Sequence, residues 1–111
     1  MLDELAVTDL GVIAHARLDL RDHMTALTGE TGAGKTLLLG ALELLSGARA
    51  DATVVRTGAD QAVVEGRFST ESGDELVLRR VVLREGRSRA YRNGELVTVG
   101  ELSAAAEGLL E

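Results

Sequence analysis

The chain has 111 residues, 45% of them apolar and 27% charged, with a formal net charge of −6. That is one globular domain's worth of sequence, without the composition of a disordered chain. The acidic balance argues against nonspecific nucleic-acid binding by the whole surface and leaves room only for a local basic patch. Cysteine is absent, so there is no disulfide framework and no thiolate metal site. Two histidines, His15 and His23, are too few for a zinc site without carboxylates. No apolar run approaches membrane-spanning length, and the first residues lack a signal-peptide pattern. A cytoplasmic protein with no membrane partner is the expectation.

In chain order, Leu2 to Thr8 reads as a strand with Leu5 and Val7 on one face. Asp9-Leu10-Gly11 reads as a turn. Ala14, Ala16, Leu18 and Leu20 then alternate with His15, Arg17, Asp19 and Arg21, the period-two pattern of a strand with one wet face. His15 falls on that wet face and is expected to be solvated rather than a ligand. Arg21-Asp22-His23 is a turn into a short buried strand, Met24 to Thr28.

Next comes Gly29-Glu30-Thr31-Gly32-Ala33-Gly34-Lys35-Thr36, which fits G-x-x-x-x-G-K-[ST], the phosphate-binding P-loop. Glycine permits the positive φ that such a loop needs. The freed N–H groups then form a nest suited to a polyphosphate. Lys35 places a cation beside the β- and γ-phosphates, and the Thr36 hydroxyl is placed to ligate Mg²⁺. The context fits as well, with a strand before the loop and an apolar helix after it. ATP and Mg²⁺ are the expected cofactors. Lys35 is the only lysine in the chain.

The helix is apolar nearly all round. Leu38, Ala41, Leu42 and Leu45 form one stripe, which Leu37 and Leu44 widen, so burial on more than one side is expected. Gly47 is its C-terminal cap. Leu45-Ser46-Gly47-Ala48-Arg49 half-matches the signature peptide of ABC ATPases, but its second glycine is missing and it ends the P-loop helix, so it reads as a cap. A polar connection follows, from Ala48 to Gly58.

Four strands come next, Ala62 to Phe68, Glu75 to Arg84, Arg87 to Arg92 and Glu95 to Thr98, forming an antiparallel meander. Glu85-Gly86 and Asn93-Gly94 read as two-residue hairpin turns. A turn centred on Glu85-Gly86 pairs Arg84 with Arg87, Val82 with Arg89 and Arg80 with Tyr91. Arg80, Arg84, Arg87, Arg89 and Tyr91 then share one face, a candidate for a phosphate backbone, while Val81, Leu83 and Ala90 face the core. Thr98 and Glu101 have capping-box spacing at the start of a last helix, striped by Leu102, Ala105, Ala106 and Leu109.

Hydrolysis needs more than a P-loop. An acidic residue ending a second apolar strand normally completes the Mg²⁺ shell. Val63-Val64-Glu65 and Leu109-Leu110-Glu111 are poor candidates, and Gln61 lies in a polar loop. No residue here is assigned a catalytic role, and the chain alone is expected to turn over little or no ATP.

Leu10-Gly11-Val12-Ile13, the loop Thr28 to Thr36, Gly47-Ala48-Arg49-Ala50-Asp51-Ala52, Gly86-Arg87-Ser88-Arg89-Ala90 and Asn93-Gly94 together resemble the start of the RecN family of bacterial DNA-repair ATPases, in the SMC-like branch of the ABC ATPases. The resemblance spans essentially the whole chain. It implies an α/β P-loop NTPase fold, residues 1–111 being an incomplete N-terminal lobe of an ABC/SMC-like head with an antiparallel β-meander subdomain. It implies a C-terminal lobe of the same head and a second head as partners, DNA as the target, and a nucleoid-associated cytoplasmic location. It also implies a nucleotide contact for Arg56, on the loop after the P-loop helix. Asp9 and Asp22-His23-Met24 depart from the family pattern. A P-loop kinase fragment and a non-catalytic nucleotide-binding interaction module are the alternatives.

Overall fold

The computed structural model describes residues 2–19, 32–107 and 109. The expected turn at Arg21-Asp22-His23, the strand Met24 to Thr28 and the loop residues Gly29, Glu30 and Thr31 lie outside the described residues, as do Leu110 and Glu111. The elements are β1 (Leu2–Leu10), β2 (Ile13–Asp19), α1 (Gly32–Leu45), β3 (Gln61–Ser69), β4 (Glu75–Leu83), β5 (Ser88–Arg92), β6 (Glu95–Val97) and α2 (Val99–Glu107). One 3-10 turn, Ala52–Val54, precedes β3.

The strands form one sheet in the order β2-β1-β3-β4-β5-β6, every neighbouring pair antiparallel. Alternation sorts the side chains onto two faces. Leu5, Val7, Ala62, Val64, Phe68, Leu76, Leu78, Val82 and Ala90 are buried on one face, in a cluster shared with Ala41, Leu44 and Leu45 of α1 and Leu102 and Ala106 of α2. Both helices therefore cover the same face. Each large aliphatic or aromatic side chain so buried contributes about 1.5–3 kcal/mol, and with only Phe68 and Tyr91 as aromatics that core is almost wholly aliphatic.

The ends of α1 explain its place. Gly47, at φ +92, donates to the Leu44 carbonyl at 3.2 Å, and the Ala48 amide donates to the Glu43 carbonyl at 3.0 Å. These are the two bonds of a Schellman motif, as expected of Gly47. Helix α1 packs on β3, β4 and α2. Its outer side is open at Leu39, 59% exposed, a residue outside the expected stripe. At α2 the capping box is formed: Glu101 N–H donates to Thr98 Oγ1 at 3.0 Å, and Thr98 N–H donates to Glu101 Oε1 at 3.2 Å.

Two expectations are corrected. Leu10 is not in a turn: it ends β1, is buried, and bridges Val55, the turn itself being Gly11-Val12. Asp9 adopts φ 51 within the strand while its carbonyl accepts the Arg56 amide. The second correction is the β4–β5 register. Val82 pairs with Ser88, Val81 with Arg89, Arg80 with Ala90 and Arg79 with Tyr91. Leu83 N–H donates to the Arg87 carbonyl at 2.7 Å, and Gly86 N–H, at φ +107, donates to the Leu83 carbonyl at 2.8 Å. The loop is thus the three-residue kind, Arg84-Glu85-Gly86, a turn followed by a left-handed glycine. A one-residue slip exchanges the faces. Ala90 faces the core cluster as expected; Leu83 and Val81 (the latter still buried) lie on the opposite face, and Arg80 takes the core side in place of Val81.

Candidate nucleotide site and the arginine hairpin

Helix α1 begins at Gly32, so Gly32, Ala33, Gly34, Lys35 and Thr36 form its first turns. A helix start presents amides with no partner inside the helix, together with the positive end of the helix dipole. That is where a phosphate binds. The first turn carries no acidic residue to oppose one.

Arg56 follows the bridge between Leu10 and Val55. Its amide is held by the Asp9 carbonyl at 2.9 Å, and its side chain is exposed without an ion pair among the described residues. Asp51 caps the turn before it, accepting from Thr53 N–H at 3.0 Å. That bond holds the Asp51 carboxyl below its ordinary pKa.

The hairpin arginines do not share one face. Arg80 is 2% exposed. Its Nη1 donates to the Leu44 carbonyl of α1 at 2.8 Å and its Nη2 to Ser88 Oγ at 3.1 Å. Desolvation lowers its pKa from the ordinary value, yet a guanidinium stays charged. Arg80 therefore cannot touch a nucleic acid. Arg84 pairs with Asp60 at 3.4 Å, and Arg87 with Glu85, both in the loop region. Arg89 remains on the outer face, where the register brings Arg79 and Tyr91 beside it. The Arg79 guanidinium lies 5.5 Å from the centre of the Tyr91 ring, a cation–π contact. Sequence reasoning missed Arg79, because Glu85-Gly86 fits a two-residue and a three-residue loop equally well.

Glu65 and Gln61 do not complete a catalytic site. Glu65 stands opposite Arg79, on the outer face, and Gln61 is exposed at the start of β3. His15 is exposed, 3.4 Å from Thr8 Oγ1. Among the described residues there is no His/Asp/Glu group that could hold a metal, and no helix is long and apolar enough to cross a membrane.

No protein-family model matches the chain. Individual proteins do. It is 42% identical to the DNA repair protein RecN of Mycobacterium tuberculosis over 132 aligned positions, covering 99% of this chain and 22% of that protein. It is 44% identical to RecN of Streptomyces coelicolor, covering 96% of this chain and 21% of that one. The chain belongs to the RecN family. It spans about a fifth of the length of the RecN proteins it matches. Solved structures share the fold. The SMC head domain from Thermotoga maritima superposes with a TM-score of 0.75 at 19% identity, covering 94% of this chain and 41% of that one. The recombination mediator RecF superposes at 0.76 and 20% identity, covering 92% and 29%. This RecN-family chain thus has the P-loop fold of SMC-like heads, with its antiparallel sheet beneath the helix that the P-loop opens.

Proposed function

We propose that this chain is the ATP-binding lobe of a RecN-type ATPase acting in DNA double-strand-break repair and recombination. The observation that carries the reading is the complete P-loop motif running into the first turns of α1 in a RecN-family chain. Gly29 to Thr36 bind the triphosphate, with Lys35 countering its charge and Thr36 holding the metal. Bound Mg²⁺ neutralises charge that develops on the phosphates during transfer. Arg56 adds a contact from the loop after α1.

The lobe is half a site. The acidic strand and the signature peptide come from a C-terminal lobe and a second head, and ATP engages the two heads around DNA. The work is done in the cytoplasm, at the nucleoid. On the outer face of the sheet, Arg79 and Arg89 offer positive charge to a phosphate backbone, with Tyr91 beneath the Arg79 guanidinium.

The test is turnover. The 111-residue chain should bind ATP and hydrolyse little of it, and addition of the remainder of a RecN protein should raise hydrolysis. Robust turnover by the chain alone would contradict the reading.

A further inference from the structure

The row Ala16–Val7–Val64–Arg80–Ala90–Val97 crosses the whole sheet. Arg80 is the one polar side chain in it, and the one charged residue among the buried residues described. Its Nε has no partner, and it forms no ion pair with a carboxylate among the described residues. For stability alone, an apolar side chain of similar volume would serve as well or better. The guanidinium instead reaches the last turn of α1, where helix carbonyls carry partial negative charge.

The contacts around that turn differ in kind. Leu45 rests over Gly66, and Gly47 abuts Ser103. Both are close apolar or steric contacts, which hold the turn against the sheet and α2 without a polar bond. The Arg80 bond to the Leu44 carbonyl is directional, and its second arm to Ser88 ties the same point to β5. The other end of this 14-residue helix holds the second half of the P-loop motif, Gly32 to Thr36.

We propose that Arg80 is a positioning residue for the nucleotide site: it fixes α1 on the β4–β5 hairpin, and so sets the backbone amides at the start of α1, from Gly32, relative to the sheet. The inference rests on the P-loop being an ATP site. A purely structural Arg80 would affect melting but not the ATP affinity of the folded protein.

The experiment measures ATP–Mg²⁺ affinity by calorimetry, well below the melting temperature, in the full chain and in Arg80→Met, Arg80→Lys and Ser88→Ala. Arg80→Met should weaken ATP binding by about tenfold, the scale of one charge-assisted hydrogen bond. Arg80→Lys keeps a cation at the Leu44 carbonyl and should recover most of that loss. Ser88→Ala leaves the Leu44 bond but removes the second arm, and should weaken binding less than Arg80→Met. Wild-type affinity in folded Arg80→Met overturns the proposal while leaving the ATP site intact; no binding by the unaltered chain overturns the ATP site, and the proposal with it. If Arg80→Met does not fold, the Arg80 Nε–H resonance of the unaltered protein decides. A shift on saturation with ATP–Mg²⁺ supports the proposal, and an unmoved signal overturns it.

Discussion

Leu45 Cδ1 lies 2.8 Å from where a Cβ on Gly66 would stand, so the last turn of α1 sits directly on the backbone of β3. Phe68 Cε1 is 3.0 Å from the same point. Leu45 and Phe68 are both fully buried and have little room to retreat. Gly66→Ala should therefore destabilise the fold by about 1–3 kcal/mol, the usual cost of overpacking. Urea denaturation checks this; an unchanged midpoint would show that the helix shifts freely.

The capping box makes a second, local prediction. Thr98→Ala removes the acceptor for the Glu101 amide and should cost about 1 kcal/mol. Glu101→Ala should cost less, because the amide it frees is that of the cap residue Thr98, outside the helix, rather than one of the helix's own first-turn amides. Thermal unfolding of the two variants should rank them in that order.

Acid should loosen the turn at Ala52–Val54. The Thr53 backbone bond holds the Asp51 carboxyl below its ordinary 3.8. A carboxyl depressed in the folded state adds stability above its unfolded pKa and loses it as pH falls through the lower folded value. The contribution should be present above the unfolded value of 3.8 and fade as pH falls below it. Carboxyl-carbon NMR should place the Asp51 midpoint below 3.8; a midpoint at or above that value would contradict the capping bond. Asp51→Asn should keep the turn and abolish its acid dependence.

The revised hairpin register changes which arginines matter for DNA. Charge reversal at Arg79 and Arg89 should weaken DNA binding by an assembled head, with the loss shrinking as salt rises. Reversal at Arg84 and Arg87 should matter less, since Asp60 and Glu85 already hold them. Filter binding at two salt concentrations distinguishes the pairs. Equal effects from both would return the outer face to an ordinary solvated surface.

Much of this was legible because local patterns were strong. Period two marked β1 and β2, Asn93-Gly94 marked the type I′ turn with φ 50 and 85, and Gly47 and Thr98 marked helix ends. The hairpin register was not legible from residue types alone. Glu85-Gly86 suits a two-residue turn and the last two positions of a three-residue loop equally well, and both leave an arginine at every second place, since Arg79 and Arg80 are adjacent. What distinguishes them is tertiary: only one register puts a guanidinium under α1, within reach of the Leu44 carbonyl. The Leu10 turn failed for a similar reason. Gly11 marked the bend, but the bridge to Val55 that keeps Leu10 in the strand comes from a distant segment.

The central claim is that Gly29 to Thr36 form an ATP site. Calorimetry of ATP–Mg²⁺ with the unaltered chain and with Lys35→Ala tests it most directly. Saturable binding that falls at least about tenfold in a folded Lys35→Ala variant, the worth of one lost charge contact to phosphate, is the predicted result. Equal affinity in the two proteins, or no binding by the unaltered chain, would contradict it.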